Sequence, residues 1–228
     1  GTVQAWNPGA NNTVYALAVA GTTVYVGGSF TEVGGQTRYS LAAVGADGTV
    51  LAWNPGADGP VYALAVAGTT VYVGGHFGQI GGQSRYYLAA VGADGTLQAW
   101  YPRVDRSVNA LAVAGTTVYV GGDFTHIGGV TRNRLAAVGA DGTLQAWNPD
   151  ANNPVNALAV AGSTVYVGGD FTQIGGVTRN YLAAVDADGT LQAWNPDADN
   201  VVHALAVAGS TVYVGGRFTQ IGGQPRNR

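Results

Sequence analysis

The chain has 228 residues, a formal net charge of −3 and only 10% charged residues, so turns, hydroxyls and amides must cover much of its surface. Its basic residues are all Arg and form no cluster, which excludes the phosphate-neutralising stripe of a nucleic-acid-binding protein. The absence of Cys excludes disulfides, thiolate metal sites and thiol nucleophiles. The longest apolar stretches, such as residues 108–122, fall short of the roughly 20 residues that span a bilayer as a helix, so no membrane partner is expected.

The sequence is an array of repeats spaced by 47 residues. Each repeat opens with Gly-Thr and soon reaches Ala-Trp, and the spacing never slips between the repeats at 1–47, 48–94, 95–141, 142–188 and 189–228, of which the last is shorter. Such self-similarity indicates one array, so we expect a single domain over residues 1–228. Many positions are identical in all five copies, which fits either recent amplification or deliberate idealisation of the sequence.

Each repeat contains four apolar runs separated by turn residues, and these predict four β-strands. In chain order, which we name A to D, the first set comprises Val-Tyr-Ala-Leu-Ala-Val-Ala from Val14, Thr-Val-Tyr-Val from Thr23, Tyr-Ser-Leu-Ala-Ala-Val from Tyr39 and Thr-Val-Leu-Ala-Trp from Thr49. Several runs are apolar on both faces, which indicates sheets packed on both sides. The Ala-rich strand A is expected to be innermost, where neighbouring sheets crowd together.

The connections divide into two kinds. Strands A and B are joined by Ala-Gly-Thr-Thr or Ala-Gly-Ser-Thr, and C and D by Ala-Asp-Gly, both of which predict short hairpin turns with Gly at positive φ. The B–C connection, with its two Gly-Gly pairs, and the D–A connection, which begins with Asn-Pro or, once, Tyr-Pro, are longer. In an up-and-down sheet these two longer connections share one face.

The segment Ala-Val-Asp-Ala-Asp-Gly-Thr-Leu-Gln-Ala-Trp at 184–194 is similar in spacing to the docking motif Ala-x-Asp-x-x-Thr-Gly-x-x-x-Trp of pyrroloquinoline-quinone-type propeller repeats. Tyr-Val-Gly-Gly-x-Phe resembles kelch repeats and short propeller repeats of bacterial surface proteins. The resemblance implies an all-β propeller of four-stranded antiparallel blades. It implies no quinone oxidoreductase activity and no cofactor, because the Cys pair and the Glu-rich centre associated with quinone binding are missing.

The two ends of the chain complement one another. Residues 1–8 are predicted to form a strand D without the strands before it, whereas residues 201–228 supply strands A and B of a last blade that lacks strand C. We therefore expect five blades, the last incomplete and shared between the termini. A shared blade covers sheet edges that would otherwise be open to pairing with other chains. The alternatives are a piece of a larger ring, or a homo-oligomer in which two chains complete one another.

Three residue types have structural interpretations. The regularly spaced Trp at the end of each strand D is what packing between blades demands, since each ring can bury about 150–250 Å². An Arg recurs in every B–C connection, where it either latches loop carbonyls or presents its guanidinium group to an acidic ligand. The His residues occupy three different repeat positions, His76, His126 and His203, so they predict no repeated metal site.

Variation between the copies gathers in the D–A and B–C connections, on one face. Position 15 of the repeat begins each strand A and is expected to line the mouth of a central channel, with side chains that suit sugars or short peptides: Tyr15, Tyr62, Asn109, Asn156 and His203. Position 29 lies on the same face and holds Ser29, His76, Asp123, Asp170 and Arg217. Unconstrained drift of exposed loops would produce the same variation.

Three functions remain open from the sequence. The first is a non-enzymatic binding or scaffold propeller, exported or on a cell surface, whose variable loop face contacts a glycan or a protein. The second is a structural or engineered repeat protein without a natural ligand. The third is a glycosidase-like enzyme built on the carboxylates of Asp123 and Asp170, against which stands the presence of a single Glu, Glu32, in the chain.

Overall fold

The structure, a computed structural model, describes residues 5–226, so the predicted strand at 1–8 lies partly outside the described residues. The chain divides into two compact units, Gly1–Tyr101 and Pro102–Arg228. In the first unit, the first repeat forms β1 (Val14–Ala20), β2 (Thr23–Gly28), β3 (Glu32–Val33), β4 (Gln36–Thr37) and β5 (Leu41–Gly45). The second forms β6 (Val61–Ala67), β7 (Thr70–Gly75), β8 (Gln79–Ile80), β9 (Gln83–Ser84) and β10 (Leu88–Gly92).

The second unit repeats this pattern. Its first two repeats form β11 (Val108–Ala114), β12 (Thr117–Gly122), β13 (His126–Ile127), β14 (Val130–Thr131), β15 (Leu135–Gly139), β16 (Val155–Ala161), β17 (Thr164–Gly169), β18 (Gln173–Ile174), β19 (Val177–Thr178) and β20 (Leu182–Asp186). The last repeat forms β21 (Val202–Ala208), β22 (Thr211–Gly216), β23 (Gln220–Ile221) and β24 (Gln224–Pro225). Residues 5–226 contain no helix.

Strands A, B and C form the predicted antiparallel sheets, in the orders β1-β2-β5, β6-β7-β10, β11-β12-β15 and β16-β17-β20, while the last repeat has only β21-β22. Strand D is attached more weakly than the sequence suggests. In the first sheet it pairs with strand C through one bridge, between Val44 and Val50, and then leaves the sheet before the buried Trp53. The four-stranded sheet therefore has a short outer strand.

The B–C connection contains a two-stranded hairpin that the sequence did not lead us to expect. In the first repeat this hairpin consists of β3 and β4, and Gly34 and Gly35 turn between them at φ +56° and +72°. Such a pair of positive φ values is that of a type I′ turn, which matches the twist of a tight hairpin. A further bridge, between Ala10 and Val33, ties the D–A connection to this hairpin, so both long connections form one loop layer.

Strand C is buried along most of its length wherever it forms. Leu41, Ala42 and Val44 are completely buried, as expected for a strand covered on both faces. Neighbouring sheets approach closely because strand B ends in glycine. A Cβ atom on Gly27 would lie 2.7 Å from Cγ1 of Val61 in the next repeat, so only glycine fits there.

Polar side chains tie the sheets to backbone atoms. The Nη2 atom of Arg38 donates to the carbonyl oxygen of Leu51 at 2.7 Å, and Arg132 and Arg179 make the equivalent bonds to the carbonyl oxygens of Gln145 and Gln192. The Trp53 ring packs edge-on against Tyr25, with ring centroids 5.0 Å apart. These contacts confirm the structural interpretation of the repeated Arg and Trp.

Candidate functional site

Every predicted residue at position 15 lies at an irregularity in its sheet. In the pairing of β1 with β2, Val14 faces Gly28 and Ala16 faces Gly27, so Tyr15 is the extra residue of a β-bulge. The same register shift occurs at Tyr62, Asn109, Asn156 and His203. Bulges re-aim side chains, and they are common beside binding sites. The sequence contains no clear sign of this bulge.

The residues at positions 15 and 29 contact each other or their counterparts in the neighbouring repeat. In the first unit, the rings of Tyr15 and Tyr62 pack edge to face with centroids 5.3 Å apart. In the second unit, the side-chain amide of Asn109 donates to Asp123 at 3.0 Å, and that of Asn156 donates to Asp170 at 2.8 Å. The two carboxylates singled out as catalytic candidates are therefore each held by an amide of their own repeat.

Three of the remaining predicted residues, His76, His203 and Arg217, are exposed. His76 lies beside the ring of Tyr87, with centroids 5.5 Å apart, while His203 and Arg217 are exposed at the start of β21 and just after β22. The Nδ1 atom of His126 lies 3.3 Å from a carboxylate oxygen of Asp105. Within residues 5–226, no group of three or more acidic or His side chains could hold a metal ion.

A carboxylate or amide at position 11 holds the loop layer in each repeat. In the first, the Oδ1 atom of Asn11 accepts hydrogen bonds from the backbone amides of Thr31 and Glu32. Asp58, Asp105, Asn152 and Asp199 accept the equivalent pair of bonds. We call this arrangement the position-11 latch.

The second repeat has a latch with one free oxygen. In the other repeats, the second polar atom of the latch residue bonds a threonine hydroxyl: that of Thr31, Thr125, Thr172 or Thr219. In the second repeat Gly78 replaces this threonine, so Oδ2 of Asp58 has no hydrogen-bond partner within the described part of the chain. A Cβ atom on Gly78 would lie 3.4 Å from that oxygen, so a threonine hydroxyl there would reach it.

A cleft of about 580 Å³ opens on the loop layer of the first unit, between the B–C connection of the first repeat and the D–A connection that follows. Its lining includes the buried side chains of Phe30 and Ala57. The exposed lining side chains include Tyr39, Asp58 and Gln79. The cleft therefore combines an aromatic ring, a carboxylate and an amide. Of the residues predicted from position 29, Ser29 lines it, whereas Tyr39 and Asp58 were missed.

The second unit closes the equivalent place with a hydrogen bond. There the side-chain amide of Asn133 donates to Asp150 at 2.8 Å, and Asn180 donates to Asp197 in the same way. In the first unit the corresponding residues are Tyr39 and Gly56, which cannot form such a bond. The replacement of the Asn and Asp at repeat positions 39 and 9 by Tyr and Gly is the sequence signal from which the open cleft could have been predicted.

No helix among the described residues is long and apolar enough to cross a membrane.

The carboxylates of the C–D turns accept hydrogen bonds from the threonine two residues later. The backbone amide and the hydroxyl of Thr49 both donate to Asp47, which lowers the pKa of that carboxyl, and Asp94, Asp141 and Asp188 are affected in the same way. These acids are part of the turn structure and lie outside the cleft.

A family model matches two segments of the second unit. The model, described as a domain of unknown function (DUF5122) β-propeller, matches residues 117–144 and 163–191. Both segments start near strand B and extend through strand C to the C–D turn or strand D. No sequence among the curated proteins matches this chain.

Solved structures of propellers are similar to this chain. The WD40 β-propeller domain of Doa1 has a TM-score of 0.61 at 13% identity, over 87% of this chain and 60% of that one. The computationally designed Ika4 protein has a TM-score of 0.56 at 18% identity, over 85% and 99%. The extracellular domain of BT4673 from B. thetaiotaomicron has a TM-score of 0.58 at 18% identity, over 90% and 25%.

The chain thus spans 60% of the Doa1 chain and a quarter of the BT4673 chain. The predicted likeness to propeller repeats is confirmed at the level of the fold, while the finer likeness to the quinone type or to kelch repeats stays a prediction. Together with the repeated antiparallel sheets, these comparisons identify the fold as an all-β propeller of about five blades.

Proposed function

We propose that this chain is a non-enzymatic binding propeller and that the cleft of its first unit takes a glycan. The observation that carries the proposal is the exposed ring of Tyr39 in one cleft with the unpaired Oδ2 atom of Asp58. Volumes of about 300–1,000 Å³ are typical of small-molecule sites, and the cleft falls within that range.

Sugars suit this combination of side chains for a physical reason. The apolar face of a pyranose ring packs on an aromatic ring, while its adjacent hydroxyls donate to a carboxylate. Hydrogen bonds from a hydroxyl to an ionised oxygen are shorter and stronger than neutral ones. Asn54 and Gln79 add amide donors and acceptors beside Asp58. The shape of the cleft thus offers a sugar both an apolar surface and directional polar partners.

The position-15 residues are proposed as further contacts for a longer glycan. Tyr15 is exposed and packs on Tyr62 at the start of strand A, at the loop end of the same two repeats that form the cleft. In the second unit we propose the same role for Asn109, Asn156 and His203, with Asp123, Asp170 and Arg217, and in the first unit we propose it for His76. A protein surface that presents aromatic and amide side chains is the second class of ligand for this face.

An exported or cell-surface location is part of the proposal. The BT4673 neighbour is an extracellular domain with the same fold, and glycans are abundant outside cells. The engineered alternative has its own support, since the Ika4 neighbour is a designed protein. Specific binding of a ligand distinguishes the natural binding protein from the engineered one, because a protein made only for its symmetry has no reason to bind a ligand.

Catalysis is not part of the proposal. Asp123 and Asp170 each accept a hydrogen bond from an asparagine amide of their own repeat, which suits a fixed structural carboxylate as well as a catalytic one. If the chain nonetheless hydrolyses a glycoside, the double variant Asp123→Asn and Asp170→Asn would lose that activity. Unchanged hydrolysis in the double variant would end the glycosidase hypothesis.

The test is a broad glycan-array screen of the intact chain alongside three variants. Tyr39→Ala removes the aromatic surface, and Gly78→Thr supplies the hydroxyl that occupies Oδ2 of Asp58, so both are expected to lose specific hits. Tyr86→Ala is the matched control, because Tyr86 is an exposed Tyr at the same repeat position and does not line the cleft. Hits that survive both cleft variants, or an array without hits, would overturn the proposal.

A further inference from the structure

Among the described residues that line the cleft of the first unit, Asp58 is the only charged one. Its Oδ1 atom accepts hydrogen bonds from the backbone amides of Gly78 and Gln79, at 2.8 and 2.9 Å. Its Oδ2 atom has no hydrogen-bond partner within residues 5–226, and the side chain is exposed. One oxygen of the carboxylate therefore holds the loop, while the other is free to accept hydrogen bonds from a ligand.

The cations of the first unit do not neutralise this carboxylate. The Arg residues of that unit are Arg38 and Arg85. The guanidinium group of Arg38 donates to backbone carbonyl oxygens, and that of Arg85 lies over the ring of Tyr101, 4.9 Å from its centroid. Both positive charges are therefore engaged elsewhere, and within the described part of the first unit Asp58 has no cationic partner.

The latch residues of the other repeats offer no such group. Asn11 and Asn152 are neutral, and their side-chain amides donate to threonine hydroxyls. The Oδ2 atoms of Asp105 and Asp199 accept threonine hydroxyls at 2.7 and 2.6 Å. The second repeat differs because it combines an aspartate in the latch with Gly78, which leaves an oxygen free.

A second departure from the repeat pattern meets the first in the same cleft. Tyr39 and Gly56 replace the hydrogen-bonded Asn–Asp pairs of the second unit, which leaves the cleft open. The backbone amide of Ala57 donates to the carbonyl oxygen of Tyr39 at 3.0 Å, and Asp58 is the next residue along the chain. The exposed tyrosine ring and the free carboxylate oxygen are therefore brought together in one cleft.

An aromatic ring beside a free carboxylate suits a protonated amine. An ammonium group has three N–H donors, and its hydrogen bonds to a carboxylate are shorter and stronger than bonds between neutral groups. A cation over the face of a tyrosine ring is also attracted by the quadrupole of the ring. The other polar side chains of the lining are neutral and include Ser29, Asn54 and Gln79, which suit hydroxyl groups.

We infer that the glycan bound in this cleft is an amino sugar with a free, protonated amine. The inference rests on the proposed function, since it names the class of sugar for the same site. The ammonium group donates to Oδ2 of Asp58 and packs beside the ring of Tyr39. An acidic sugar is disfavoured because its charge has the same sign as that of Asp58, and an N-acetylated sugar lacks the charge on its nitrogen.

The test is isothermal titration calorimetry of the intact chain with two β-1,4-linked hexasaccharides at about pH 6, where sugar amines are largely protonated. One consists of glucosamine and the other of glucose, so they differ only in the amine that replaces each 2-hydroxyl. We expect the glucosamine hexamer to bind about tenfold more tightly, which is the effect of one hydrogen bond between charged groups. Raising the salt concentration should reduce this preference, because salt screens an exposed ion pair.

Asp58→Asn is the key variant, because Asn11 and Asn152 already form the same latch with an amide. It should unfold at the temperature of the wild type and bind the two hexamers equally. Asp199→Asn is the matched control, since it removes the same single charge from a latch whose Oδ2 is already bonded to Thr219. This control should keep the tenfold preference, which separates recognition by Asp58 from general attraction of a cationic sugar to a chain of net charge −3.

Gly78→Thr, whose hydroxyl occupies Oδ2 of Asp58, is a second variant that should lose the preference. Equal binding of the two hexamers by the wild type, or a preference that survives in Asp58→Asn, would overturn the inference and leave a glycan site without selectivity for an amine. Failure of the glucosamine hexamer to bind would overturn it as well. The proposed function itself fails only if the glycan array shows no hits that depend on the cleft.

Discussion

The indole Nε1 atom of Trp53 donates a 2.9 Å hydrogen bond to the carbonyl oxygen of Gly92, at the end of β10. The same ring packs against Tyr25 of β2, so one side chain joins two neighbouring sheets. Trp147 does the same in the second unit, with Tyr119 and the carbonyl oxygen of Asp186. The stability of each sheet is therefore linked to that of its neighbour.

Replacing this indole should destabilise the fold measurably. We expect Trp53→Phe to lower the free energy of unfolding by about 0.5–1.5 kcal/mol, because the buried carbonyl of Gly92 loses one of its two donors, the other being the backbone amide of Gly95, while most of the aromatic surface is kept. Urea unfolding followed by circular dichroism measures the change. Trp6→Phe, at a more exposed ring with the same bond, is the control and should cost less; equal losses would contradict this account.

A methyl group at Gly27 should be far more costly than one at Gly215. Gly27→Ala places its Cβ 2.7 Å from Val61, and we expect such overpacking to lower the free energy of unfolding by about 1–3 kcal/mol. Gly215→Ala meets no atom closer than 3.6 Å and should leave the free energy of unfolding almost unchanged. If both variants unfolded at the same urea concentration, the close approach of Val61 to Gly27 would have no steric role.

Adding the missing threonine should stabilise the second repeat. Gly78→Thr replaces a flexible residue whose φ is not positive and supplies a hydroxyl to Oδ2 of Asp58, so we expect a gain of about 1 kcal/mol. Thermal unfolding compared with Gly78→Ala separates the hydroxyl from the backbone effect. A threonine variant no more stable than the alanine variant would show that the new hydrogen bond does not form.

Acid should weaken the latch of the third repeat. Burial raises the pKa of the Asp105 carboxyl, but hydrogen bonds from Thr125 and His126 outweigh that effect and lower the pKa from 3.8 to about 2. The ionised form is thus favoured in the folded state, and its stabilisation is present above pH 3.8 and is lost as the pH falls towards 2. With allowance for solvent screening, we expect a loss of about 1 kcal/mol.

The matched variant is Asp105→Asn, since Asn152 already forms the same latch with an amide in another repeat. Urea midpoints measured from pH 6 to pH 2 should fall less for this variant than for the wild type. Parallel curves for the two proteins would mean that Asp105 does not contribute to the acid sensitivity.

The fold was predictable because its signals are local. The apolar runs, Gly turns and Asp-Gly-Thr segments each act over a few residues, and strands A, B and C formed where these signals placed them. The cleft was not predictable in the same way, since it depends on pairs far apart in sequence. Whether it is open or closed depends on Tyr39 and Gly56 in one unit and on Asn133 and Asp150 in the other.

The bulge at Tyr15 escaped prediction for a different reason. It arises from the pairing register of β1 with β2, and the apolar pattern of strand A runs through it without a break. The sequence thus identified Tyr15 as a variable residue on the loop face but contained no sign of its backbone irregularity.

The position-11 latch affects how the side chains of the loop layer can vary. Its hydrogen bonds are made mainly to backbone amides, as those from Thr31 and Glu32 to Asn11 illustrate, so the loop keeps its path whatever the neighbouring side chains are. The side chains of one loop can therefore be substituted to change what that loop binds, while the loops of the other repeats keep their own side chains. An array of this kind displays a different loop surface on each repeat.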